Sequence, residues 1–205
     1  MAYYPQPKPI GAHRTDFPGN YVVVDLETTG LSPETHEIIE IGALKVVNHE
    51  VSHTFSTLIQ PKCMPDSYIT SLTGIHSDML KDAPSITDVL PDFARFLGTA
   101  IFAGHNVPFD WGFLNKAYRD VFQQTIENEY MDSLILSRKL IKGLKRYRLN
   151  DLCQYFKVSD DGHHRAVNDC YMTKACLDGL RQIALLQEGD EPQQWEQPSL
   201  LSGLE

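Results

Sequence analysis

An apolar, valine-rich run, Tyr21-Val22-Val23-Val24, leads straight into two acids, Asp25 and Glu27. A strand this apolar is expected to be buried. In a strand, residues i and i+2 point to the same side. Both carboxylates therefore face one way at the strand's carboxyl end, where open α/β sheets place their sites. Left unpaired they would repel and raise each other's pKa. A divalent cation removes that cost, and hard oxygen ligands suit Mg²⁺ or Mn²⁺ rather than zinc. Taken alone, the pair is equally a strand that ends in solvated acids.

Two later segments add to it. Gly104-His105-Asn106-Val107-Pro108-Phe109-Asp110 follows the apolar run Ala100-Ile101-Phe102-Ala103, so another acid arrives just past another strand end. Pro108 suits the first turn of a helix, which places Asp110 near the positive amino end. His163-His164-Arg165-Ala166-Val167-Asn168-Asp169 precedes a helical pattern over Tyr171 to Leu180, giving a loop histidine and a fourth acid at a helix start.

In this order and context, the four acids and the histidine resemble the DEDD-type 3′-to-5′ exonucleases of the ribonuclease H-like superfamily, histidine subclass. The likeness is carried by Asp25-Leu26-Glu27-Thr28-Thr29-Gly30, by His105-Asn106 through Asp110, and by His164 with Asp169. Glu37-Ile38-Ile39-Glu40-Ile41-Gly42-Ala43 and Leu72-Thr73-Gly74-Ile75 match between these motifs. The resemblance runs from about Tyr21 to Leu180, and within the family it is to the proofreading ε subunit of bacterial DNA polymerase III and its stand-alone relatives.

The resemblance implies an α/β, ribonuclease H-like fold with a mixed five-stranded sheet flanked by helices. It implies two divalent cations, Mg²⁺ or Mn²⁺, held by Asp25, Glu27 and Asp169, with Asp110 completing the second site, and His164 as general base. His163 is read as an ordinary loop residue. Thr28 and Thr29 match positions that meet a terminal 3′-OH, and Leu31 one that packs on the terminal bases. These three could equally be turn and core residues. His105 and Asn106 are expected to brace the site and contact phosphate. Thr73 stands where the ε subunit has a histidine near the nucleotide. The implied activity is metal-dependent removal of 5′-mononucleotides from a DNA 3′ end, single-stranded by preference, in proofreading or repair. An exoribonuclease on the same scaffold and a non-catalytic nucleic-acid-binding module are the alternatives. The two nucleases differ in how the site treats a 2′-hydroxyl, which the residues do not show.

The formal charge of −9 is unusual for a nucleic-acid binder, since phosphate contacts normally need a basic surface. Bound cations would invert the potential of an acidic cleft. Arg138, Lys139, Lys142, Lys145, Arg146 and Arg148, with no acid among them, are a candidate path for the strand or a solvated helix end. The four cysteines, Cys63, Cys153, Cys170 and Cys176, show no CxxC spacing and are expected to be reduced, most of them in the core. No apolar run approaches membrane-spanning length and no apolar signal core opens the chain, so a cytoplasmic location is the default.

With 205 residues, of which 42% are apolar, the chain suits one domain. Residues 1–19 read as a disordered arm, 20–187 as the exonuclease domain and 188–205 as a flexible polar tail. A meander of three strands is expected first, with Asn48-His49-Glu50 as the hairpin connection between Glu37 to Val47 and Val51 to Ile59. Strands near Ala100 to Ala103 and Glu129 to Met131 then alternate with helices over Ser85 to Leu97, Val107 to Tyr118, Asp132 to Lys142, Asn150 to Phe156 and Ala166 to Ala184. In the tail, Gln197, Ser199, Leu200 and Leu201 resemble the short peptides by which bacterial replication proteins dock on the sliding clamp. Chance is the other explanation for so short a match.

Overall fold

A computed structural model describes residues 8–159 and 165–189. His163, His164 and the tail with its Gln197 to Leu201 segment lie outside the described residues.

Strands β1 (Tyr21–Thr28), β2 (Ile38–Val47) and β3 (Glu50–Leu58) form the expected antiparallel meander. Asn48 and His49 make the two-residue β2–β3 connection, both with positive φ (51° and 68°), which matches the twist of the flanking strands. Strands β4 (Phe102–Gly104) and β5 (Tyr130–Asp132) join in parallel, giving a five-stranded mixed sheet of order β3-β2-β1-β4-β5. The helices are α1 (Ser67–Thr73), α2 (Ser77–Leu80), α3 (Ile86–Leu97), α4 (Val107–Phe122), α5 (Ser133–Leu140), α6 (Leu149–Phe156) and α7 (Ala166–Glu188).

The alternation of side chains along β1 sorts the core into two layers. Val22, Val24 and Leu26 pack with Leu90 and Phe93 of α3 and Val107, Trp111 and Leu114 of α4. Tyr21 and Val23 pack on the other face with Leu152 of α6 and Cys170, Cys176 and Leu177 of α7. Asp25 and Glu27 continue this second row, so they face α7. Gly42 of β2 lets α7 approach: a Cβ there would lie 2.4 Å from the backbone of Ala166 and Val167.

Several expectations are corrected. Helices α1 and α2 were not anticipated; they are too short to show a helical period, although Asp66 caps α1 by accepting the Ile69 N–H. Helix α4 runs on to Phe122, whose ring meets that of Tyr118 one turn earlier. Both short parallel strands begin and end later than expected. Within the supposed arm, Ala12 to Arg14 lie along the sheet edge, where Arg14 N–H donates to the Tyr130 carbonyl and Tyr130 N–H to that of Ala12. The cysteines are as expected, all four free, with Cys153, Cys170 and Cys176 buried and Cys63 exposed.

Candidate active site

The end of β1 carries the site. Asp25, Glu27 and Asp169 each offer a carboxylate oxygen, and these oxygens lie within 4.8 Å of one another. Asp169 comes from the first turn of α7 and Asp110 from the first turn of α4. Asp110 Oδ1 accepts the N–H of Leu26 at 3.1 Å, tying α4 to the residue between the two β1 acids. Just past Glu27 the β1–β2 register shifts, with Glu27 opposite Glu40 and Thr28 opposite Ile38. Such an irregularity beside a site re-aims side chains.

Burial and mutual repulsion shape the acids. Desolvation first, then the charges of Asp110, Asp169, Glu27 and Glu40, push the Asp25 carboxyl well above its usual range. Glu27 is pushed up to about 8, again by burial and then by Asp169, Glu40 and Asp110, with Arg165 opposing. Asp110 is raised chiefly by burial, although its two backbone hydrogen bonds pull the other way. A cluster of hard oxygen donors that resists ionisation by itself is suited to a divalent cation, whose charge reverses both effects.

Around this centre the expected substrate residues divide. Thr28 is buried and its hydroxyl donates to the Gly30 carbonyl at 2.7 Å. Thr29 pairs with Glu37: its N–H donates to the Glu37 carbonyl, and its hydroxyl oxygen accepts the Glu37 N–H. These hydroxyls build the turn after β1. Leu31 is exposed beyond it. Thr73 is buried, its hydroxyl donating to Ile69 O and accepting from Ile75 N, so it is turned inward rather than toward a nucleotide. His105 Nδ1 lies 2.8 Å from Ser133 Oγ, and burial pushes its pKa down to about 4, leaving it a neutral brace. Asn106 is exposed at the start of α4 in the left-handed region, φ 68°. In the basic segment, Arg148 is paired with Asp151 at 3.0 Å.

Two residues at the site, Glu40 and Asp132, escaped the sequence reading. Glu40 is buried in β2 and accepts from Arg165 Nη2 at 2.8 Å and from Ala166 N–H at 3.1 Å. Asp132, at the end of β5, accepts the N–H groups of Asn106, Val107 and Leu134. The usable signal was a charged residue set in an apolar strand, Ile39-Glu40-Ile41 and Met131-Asp132.

Residues 22–177 match the family model described as "Exonuclease". A DNA polymerase III PolC-type protein of Caldanaerobacter subterraneus is 42% identical over 178 residues, 87% of this chain; the chain spans only about 12% of that relative's length. The DNA polymerase III subunit epsilon of Aquifex aeolicus is 36% identical over 167 residues, covering 82% of this chain and 83% of the subunit. Among solved structures, exonuclease X in complex with 5′ overhanging duplex DNA superposes with TM-score 0.66 at 25% identity, over 84% of this chain and 95% of that one. Exonuclease I, at TM-score 0.70 and 19% identity over 83% of this chain and 43% of that one, shares the fold.

Proposed function

Because the chain belongs to the exonuclease family, we propose that it removes 5′-mononucleotides from the 3′ end of single-stranded DNA, in proofreading or repair. The observation that carries this reading is the convergence of Asp25, Glu27 and Asp169 within 4.8 Å, beside Asp110. These acids would hold two divalent cations, Mg²⁺ or Mn²⁺, with Asp110 completing the second site. Bound there, the cations would lower the pKa of the attacking water and stabilise the departing 3′ oxygen. His164, placed five residues before Asp169, takes the proton of the water as general base. Leu31, exposed past the β1 turn, packs on the terminal bases, and the turn at Thr28 and Thr29 meets the terminal 3′-OH. Asn106, exposed just before α4, meets phosphate through its side chain. The exposed basic residues of the segment from Arg138 to Arg146 guide the rest of the strand.

DNA rather than RNA is favoured by the relatives named for DNA polymerase III and by the neighbour bound to duplex DNA with a 5′ overhang. Docking on a sliding clamp through Gln197, Ser199, Leu200 and Leu201 would offset the weak DNA affinity of an acidic enzyme by raising its concentration at the primer end. The decisive assay uses purified protein with Mg²⁺ or Mn²⁺ on 5′-labelled single-stranded DNA and RNA and on a circular DNA single strand. A ladder shortening from the 3′ end of the linear DNA is expected, with the circle left intact. Internal cuts in the circle, or trimming of RNA alone, would overturn the reading.

A further inference from the structure

The two helices that deliver Asp110 and Asp169 start in the same unusual way. Each acid lies four residues after its N-cap, and neither N-cap residue, Asn106 or Arg165, caps its own helix with its side chain. The first N–H groups of a helix have no partner within it and must find one elsewhere when buried. In α4, the N–H groups of Asn106 and Val107 donate to Asp132 Oδ1 at 3.0 Å and Oδ2 at 3.1 Å. In α7, the Ala166 N–H donates to Glu40 Oε2 at 3.1 Å, while Arg165 Nε and Nη2 grip the same carboxylate at 3.2 and 2.8 Å. Both acceptors are 1% exposed, and both come from strands of the central sheet rather than from the helices they hold.

Filling space does not account for carboxylates here. Glu40 adds to the negative field on Asp25 and Glu27, and Asp132 to that on Asp110, so each worsens the repulsion within the acidic centre. What a carboxylate supplies, and an apolar side chain does not, is a charged acceptor for helix-start N–H groups, where the helix dipole also favours negative charge.

We propose that Glu40 and Asp132 are positioning residues, remote carboxylate caps that hold the starts of α7 and α4 so that Asp169 and Asp110 meet the acids of β1. The assignment rests on the cation-site reading above. The isosteric variants separate it from a purely structural role. Asp132→Asn keeps one oxygen to cap α5 through Leu134, but its amide nitrogen cannot accept the second N–H of α4. Glu40→Gln likewise keeps one acceptor and loses its charge toward Arg165.

The test measures Mn²⁺ affinity by calorimetry or electron paramagnetic resonance, together with kcat and KM on a DNA oligonucleotide and metal-free melting temperature. In both variants Mn²⁺ affinity should fall by about 10- to 100-fold, the range for residues that orient metal ligands. The kcat should fall with it while KM stays near the wild-type value, and melting temperature should hold. Asp88→Asn, which weakens the exposed capping box that Ser85 and Asp88 form at the start of α3, should lower melting temperature and leave Mn²⁺ affinity alone. Glu40→Asp, with the charge kept and the reach shortened, is the second variant and should also weaken Mn²⁺ binding. Wild-type Mn²⁺ affinity in folded Glu40→Gln and Asp132→Asn would overturn the proposal, provided Asp25→Ala loses Mn²⁺ in the same assay. If Asp25→Ala keeps it, the cation-site reading itself fails.

Discussion

The side chain of Asp110 accepts a hydrogen bond from the backbone N–H of Leu26 at 3.1 Å. A buried acid of α4 is thereby locked onto the residue between Asp25 and Glu27. Asp110→Asn retains an oxygen for Leu26 but not the charge. Its metal-free melting temperature should equal or exceed that of the wild type, because one member of a repulsive cluster is gone. Turnover should drop by at least about 10-fold, since even an outer partner of a metal site is worth that much and Asp110 is read as completing the second cation site. A fold loosened by the substitution, seen as a lower melting temperature, would show that the Leu26 bond depends on the ionised group.

Asp25→Ala and Asp169→Ala should abolish activity while leaving the protein folded. Burial first, then the neighbouring acids, hold the Asp25 carboxyl well above the normal carboxylate range, so removing it relieves desolvation and repulsion in the metal-free protein. Without metal, the melting temperature of the variant should match or exceed that of the wild type. Adding Mn²⁺ should then raise the wild type and not the variants, since only a state that binds the ion is stabilised by it. Near wild-type turnover in either variant would refute the assignment of these acids.

His164→Ala should lower turnover by about 100-fold or more, the scale of a lost general base, with Mn²⁺ binding largely retained. His163→Ala should change little. Single-turnover rates for the pair decide the matter: equal losses mean the wrong histidine or the wrong role.

His105 predicts a pH dependence of stability. Its folded pKa is about 4 against 6.5 for the free side chain, lowered first by burial. Between those values the unfolded chain binds a proton that the folded chain does not, so stability rises with pH across the window and is lost as pH falls through it. Melting curves of His105→Asn should therefore show a shallower slope between pH 4 and 6.5 than the wild type. Parallel slopes would mean that the ring is solvated in the folded state.

A peptide spanning Gln194 to Glu205 should bind the sliding clamp of the source organism, with Leu200 and Leu201 as its anchors. Replacing both leucines by alanine should remove the binding. No signal by calorimetry at high micromolar peptide, or no loss on the double substitution, rules this docking out.

The i, i+2 geometry of a strand ensured from sequence alone that Asp25 and Glu27 share a side, and the apolar runs before them marked Asp25 as an acid at a strand end and Asp110 as one just past another. The hairpin at Asn48 and His49 and the longer helices were legible for the same reason: their signals are periodic and local. Helices α1 and α2 were not legible, because four to seven residues carry no period to read. The inward turn of Thr73 was hidden too, since its hydroxyl is used within α1 and the turn after it. What only the tertiary structure decided is convergence. Asp169 reaches the β1 acids because Gly42 admits the backbone of α7 and Glu40 holds its first turn. Asp110 does so because Asp132 grips the start of α4 from a neighbouring strand. Strand and helix periods are set by bonds between near neighbours, whereas these contacts join residues far apart in the chain and exist only once the sheet has assembled.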